Sequence, residues 1–281
     1  MEDQTIPIRR PSVAVPDFIT HAQSDASKQE AKYPTETIPL PTKGWFYAEG
    51  NPLSSGEIEL KQMTAREEDI LANQDLMRKG KVLDKLLESL IINKAIRQEE
   101  ILVPDKNAIF IAIRRLAYGD AYPVTITCPQ CAEANKVTIN LANMKFKEFD
   151  FSKYPKGENS FPFRMPDSGK TVTYKLLNQL DEQSIDAELA NLKKISKEAS
   201  GDLTVRLKYV ITSVDGNPDK TNIRKFIDTL KAKDSLAFRR HIRENNPDLD
   251  RGFEFKCDNC SCERRMDMPI EASFLWPDLA T

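Results

Sequence analysis

Four residues carry the clearest chemical signal: Cys128 and Cys131, separated by Pro129 and Gln130, and Cys257 and Cys260, separated by Asp258 and Asn259. Each pair offers two thiolates across a two-residue turn. Two such turns supply the four sulfurs that tetrahedral zinc coordination requires. A closed four-sulfur site has no open position for substrate, so a bound Zn2+ is expected to be structural, with Zn–S bonds of about 2.3 Å. Such an ion contributes on the order of 10 kcal/mol to the folding of a small domain. Cys262, two residues beyond Cys260, is an alternate fourth ligand, and spacing alone leaves that choice open. Glycine commonly follows a metal-binding turn because the backbone tightens around the sulfur; here the residues are Ala132 and Ser261. A redox dithiol would sit at a helix N-terminus. Cys131 instead leads into an alternation of Val137, Ile139 and Leu141, which favours metal.

Little else in the chain suggests a reaction. Of the two histidines, His21 and His241, neither belongs to a serine or aspartate arrangement that suggests a triad. There is no glycine-rich phosphate loop. Glu67, Glu68 and Asp69 read as first-turn helix charges, so a non-enzymatic protein is expected. The 41 basic and 43 acidic side chains give a net charge of −2, which provides no broad positive field for nucleic acid. Local basic clusters exist nonetheless: Arg239, Arg240 and Arg243, then Arg264 and Arg265. They support an alternative reading as a zinc-ribbon nucleic-acid binder, or they pair with Glu244, Asp248, Asp250 and Glu263. Trp45, Phe46, Tyr47, Phe274 and Trp276, together with Arg239, Arg240 and Arg243, are candidate partner-binding residues, since aromatic and arginine side chains dominate protein interfaces. Packing against the chain's own core is the competing role for the aromatics. No apolar run approaches the ~18 residues that span a bilayer. The polar start, MEDQ, suggests no secretory signal.

The elements that must position the cysteines follow from periodicity. Residues 1–40 read as a flexible, proline-punctuated arm. Residues 41–120 read as a strand followed by three helices. The strand is carried by Ile58 and Leu60. The first helix runs from a capping box at Thr64 and Glu67 to Lys79, the second carries Val82, Leu83, Leu86, Leu87, Leu90 and Ile91, and the third begins near Pro104 and ends before Gly119. Residues 121–142 and 252–281 read as two hairpins with a cysteine turn at each tip, forming one discontinuous zinc ribbon. Residues 143–251 are then a mostly helical insertion. It holds a β-hairpin around Asp167, a helix over 181–199, a continuation over 203–214, and two short helices over 221–231 and 235–243. The fold class is α+β.

Several strings also resemble a known family. LPTKGWFY (40–47), PLSSGEIEL (52–60) and MTAREEDIL (63–71) open the likeness. It continues through VLDKLL (82–87), DKN (105–107), YG (118–119), the first cysteine turn, SVDG (213–216), the second cysteine turn and FLWP (274–277). Together they are similar to T-even-type phage baseplate hub and hub-assembly proteins over roughly residues 38–278. The resemblance implies a component or assembly factor of a contractile-tail baseplate, acting as a hub subunit or a chaperone-like helper through contacts with other baseplate proteins. It implies work in the host cytoplasm during assembly and a place in the virion tail. It brings no catalytic residues, carries the cysteines over as a metal site, and leaves the arm without an inherited role.

Overall fold

The computed structural model describes residues 34–195, 201–268 and 272–275. The first described segment is a strand, β1 (Thr35–Pro39), antiparallel to β2 (Glu57–Lys61) with Ile38 opposite Ile58. Thr35, Thr37 and Ile38 are β-branched residues that suit a pleated edge, so the last residues of the expected arm are paired structure. The loop between β1 and β2 folds back on itself. A Cβ on Gly44 would sit 2.6 Å from the Gly56 nitrogen and the Leu53 oxygen, and both glycines have left-handed backbones. That contact accounts for both glycines in the LPTKGWFY and PLSSG strings.

The expected helix over 64–79 is two helices, α1 (Ala65–Leu71) and α2 (Gln74–Arg78). Asn73 breaks it: its Oδ1 accepts from the amides of Asp75 and Leu76 at 3.0 and 3.1 Å, which starts a new helix instead of continuing the old one. α3 (Val82–Leu90) and α4 (Val103–Tyr118) follow, with Leu86, Leu87 and Leu90 buried on α3 and Ile109, Phe110 and Ile113 on α4.

β3 (Ala121–Thr127) and β4 (Ala134–Asn140) form the first cysteine hairpin, and β8 (Gly252–Lys256) and β9 (Glu263–Asp267) form the second. Between them lie β5 (Phe161–Arg164), β6 (Thr171–Tyr174), α5 (Gln179–Ile195), α6 (Asp202–Val210), β7 (Ile211–Val214), α7 (Lys220–Asp228) and α8 (Ala232–Glu244); α9 (Ala272–Leu275) comes last. The expected helical run over 203–214 stops at Val210. Ile211, Thr212, Ser213 and Val214 pair with β6 instead, making a three-stranded sheet in the order β5-β6-β7. Two β-branched ends and a paired neighbour outweigh helical continuation there. The chain is thus a mixture of helices and small antiparallel sheets. Among the described residues no helix is long and apolar enough to cross a membrane.

One apolar core runs from Ile38 to Leu275. Phe46 and Tyr47, expected as partner anchors, lie inside it with 3% and 6% exposure. The Phe46 ring is 4.8 Å from Phe161, which stacks on Tyr174 at 5.2 Å. Tyr47 donates its hydroxyl to the buried Asp105 carboxylate at 2.7 Å and accepts from the Leu102 amide. Phe274 is also fully buried: its ring meets Tyr122 edge-on at 4.9 Å, and its carbonyl accepts from Arg114 at 2.6 Å. These three aromatics pack inward because residues 149–174 and the α4–β3 junction supply apolar surface next to them. Trp45 is half-buried, with its Nε1 donating to the Tyr154 carbonyl at 3.0 Å. Trp276 lies outside the described residues.

Candidate metal centre

The two cysteine turns are built alike. In the first, the Cys128 amide donates to the Glu133 carbonyl at 2.8 Å and the Ala132 amide to the Cys128 carbonyl at 2.9 Å. In the second, the Cys257 amide donates to the Cys262 carbonyl at 3.0 Å and the Ser261 amide to the Cys257 carbonyl at 3.1 Å. Ala132 and Ser261 both adopt left-handed backbones, φ 59° and 55°. The conformation that favours glycine is therefore present although glycine is not.

The topology brings the turns together. Sγ of Cys128 lies 3.7 Å from Sγ of Cys260, and Sγ of Cys131 lies 3.6 Å from Sγ of Cys257, so each short separation joins one hairpin to the other. All four sulfurs fall within 4.8 Å of one another. A disulfide would need about 2.0 Å. Four sulfurs arranged tetrahedrally around zinc at about 2.3 Å stand about 3.8 Å apart. The donor set and its spacing therefore fit one four-coordinate ion. Cys262 stands outside this group. In the shared bonding pattern it takes the place of Glu133, at the start of the returning strand, which spacing alone does not reveal.

Local hydrogen bonds and burial set the sulfurs of Cys128, Cys257 and Cys260 apart. The Cys260 amide, ahead of that of Asn259, draws the Cys257 thiol down to about 6 against the desolvation of its site. The Cys131 and Gln130 amides likewise lower Cys128. Cys260 receives help from the Cys262 amide, but desolvation and the neighbouring sulfurs of Cys131, Cys128 and Cys257 push it up to about 12. Burial, then the charge of Cys128, raises Cys262. A divalent cation bound here would supply the counter-charge that lets four crowded sulfurs ionise together. Beneath the turns, Ile126 and Phe255 form a small apolar cluster with Cys128 and Cys257, apart from the main core.

One residue at this site was not picked out by spacing. Asn135 is buried on β4, and its carboxamide reaches the second turn, donating to Cys257 Sγ at 3.6 Å and accepting from the Asp258 amide at 2.8 Å. Its signal was present in the alternation of Asn135, Val137 and Ile139, which puts a polar side chain in an inward position.

The arginine clusters divide. Arg265 pairs with Asp250 at 2.6 Å and Glu254 at 3.5 Å, while Arg264 is exposed. Arg239, Arg240 and Arg243 are exposed on α8, and among the described residues none makes an ion pair; Arg239 donates only to the Ser235 carbonyl. They share one helical face with Leu236, which is 51% exposed. The opposite face holds the buried Asp234 and Phe238.

Residues 47–276 match the family model described as T4 bacteriophage base plate protein, a span that includes both cysteine turns and every helix from α1 to α9. No curated protein and no solved structure matches the chain significantly.

Proposed function

This chain belongs to the T4 bacteriophage base plate protein family, and on that premise we propose that it helps build the central hub of a contractile-tail baseplate, as a hub subunit or as an assembly chaperone. The extent of the match carries the reading. It takes in nearly every described element, so a whole fold and not an isolated motif is held in common with baseplate proteins. The work is non-covalent: the chain binds other baseplate proteins in the host cytoplasm during assembly and, if it is a hub subunit, stays in the tail. Cys128, Cys131, Cys257 and Cys260 hold one structural Zn2+ that pins the two hairpins together. The α8 face with the exposed Arg239, Arg240 and Arg243 is the main contact surface, and the half-buried Trp45 offers a second, smaller one. Trp276 is a further candidate.

Affinity purification of the tagged chain from infected cells tests this reading. Hub proteins are expected to co-purify, and infections lacking the chain are expected to yield no complete baseplates. Recovery of no tail component, together with normal tails in its absence, would overturn it.

A further inference from the structure

Asn135 is 3% exposed and stands across β3–β4 from Ile126. Its carboxamide is engaged on every side. Nδ2 donates to the Glu133 carbonyl at 2.9 Å and to Cys257 Sγ at 3.6 Å, and Oδ1 accepts from the Asp258 amide at 2.8 Å. A side chain of the first hairpin thus grips the second turn at a cysteine and at the residue after it. Nothing equivalent runs the other way among the described residues. By the bonding pattern that aligns Glu133 with Cys262, the counterpart of Asn135 is Arg264, which is exposed.

From this asymmetry we infer that Asn135 is a positioning residue for the four-cysteine site, docking the second turn onto the first and aiming the Cys257 sulfur at the common centre. The inference rests on the zinc reading proposed above. The physical need is clear from the topology. The two turns are far apart in the chain, and closing so long a loop carries an entropic cost that the metal shares with the contacts between the hairpins, the Ile126–Phe255 cluster among them. A carboxamide is suited to the task because it donates to sulfur and accepts from an amide at once. Aspartate has the same shape but no donor, and it sets a negative charge against a thiolate. Leucine keeps the branched shape, is somewhat larger, and loses both bonds. Removing groups that orient metal ligands costs about 10- to 100-fold in affinity.

The test uses the full chain with Zn2+ and with Co2+ as a spectroscopic probe. Asn135→Asp and Asn135→Leu are compared with wild type and with Asn140→Ala, whose exposed side chain caps the turn at the far end of β4. Competition against a chromophoric chelator is expected to show zinc affinity lowered about 10- to 100-fold in both Asn135 variants and unchanged in the control. In the cobalt form of Asn135→Leu, the sulfur-to-metal charge-transfer band is expected to move to lower energy, since a hydrogen bond to sulfur stabilises its lone pair. A residue that served only the fold would not move that band. Asn135→Ser carries the same expectations if the leucine variant does not fold. Affinities within about twofold of wild type and an unshifted band would overturn the role of Asn135 alone. A wild-type chain that takes up neither metal would defeat the zinc reading, and this inference with it.

Discussion

Ala132 and Ser261 hold a backbone conformation that costs a residue with a Cβ about 1 kcal/mol. Each is fixed by the amide bond that closes its cysteine turn, so the site's geometry outweighs the local preference. Ala132→Gly and Ser261→Gly are expected to stabilise the metal-loaded protein by about 0.5–1 kcal/mol each, read as a higher urea midpoint at unchanged slope. A lower midpoint for either would show that its Cβ makes contacts worth more than the strain. At this scale the sequence was legible wherever a residue type has few uses. Four paired cysteines in two turns suggest a metal site, and their sulfurs come within 4.8 Å of one another. Cys262 was ambiguous because a thiol's reach depends on hairpin register, which spacing does not encode. Phe46, Tyr47 and Phe274 were ambiguous because an aromatic ring needs only an apolar surface. Whether Phe161 and Tyr122 or another protein provides it is a tertiary fact.

The helices and strands were legible where periodicity ran unbroken, as on α3 and α4, and failed where a side chain or a pairing partner intervened. Asn73 ended one helix by capping the next, and β6 drew Ile211–Val214 out of the helical run. The start of α1 shows how much one capping residue can hold. Glu67 is fully buried and accepts from Lys61 at 2.7 Å, from the Thr64 hydroxyl at 2.6 Å and from Ser89 on α3 at 2.7 Å. Desolvation alone would raise its carboxyl; the bonds from Lys61, Thr64 and Ser89 overcome that and hold it at about 2, below the ordinary 4.5. A carboxylate with a depressed value stabilises the fold at pH above its unfolded value and loses that contribution as pH falls towards the folded one. Stability is therefore expected to drop as pH falls from about 4.5 to about 2. Glu67→Gln should flatten that part of the profile, and Glu67→Ala should cost about 3 kcal/mol at neutral pH because Lys61 loses its buried partner. An unchanged acid limb in Glu67→Gln would show that other carboxylates control it.

Across the molecule, the main core and the small cluster under the cysteine turns have separate buried residues and, among the described residues, meet only through the half-buried Val124, Val137 and Phe253. Metal removal should therefore act locally. On chelation, amide hydrogen exchange is expected to accelerate over 124–137 and 253–266, while α4 and the β5-β6-β7 sheet stay protected. Uniform deprotection would mean that the site governs the entire fold, and no change would mean that the hairpins stand without an ion. The sequence marked the hairpins and the helical stretches but not the joining of residues 40–47 to 149–161. The Gly157 amide donates to the Trp45 carbonyl at 2.8 Å, a bond between segments with no shared periodicity to announce it.

The reach of the late contacts bears on how the polypeptide is made. Arg114 finds the Phe274 carbonyl, and Cys128 finds Cys260, only after a further 160 and 132 residues have been added. A nascent chain emerging from the ribosome therefore holds the helices from α1 to α4 and the first cysteine turn while their counterparts are still unsynthesised. Throughout that interval the thiols of Cys128 and Cys131 and the Tyr122 ring await Cys260, Cys257 and Phe274, so reducing conditions are expected to favour correct closure.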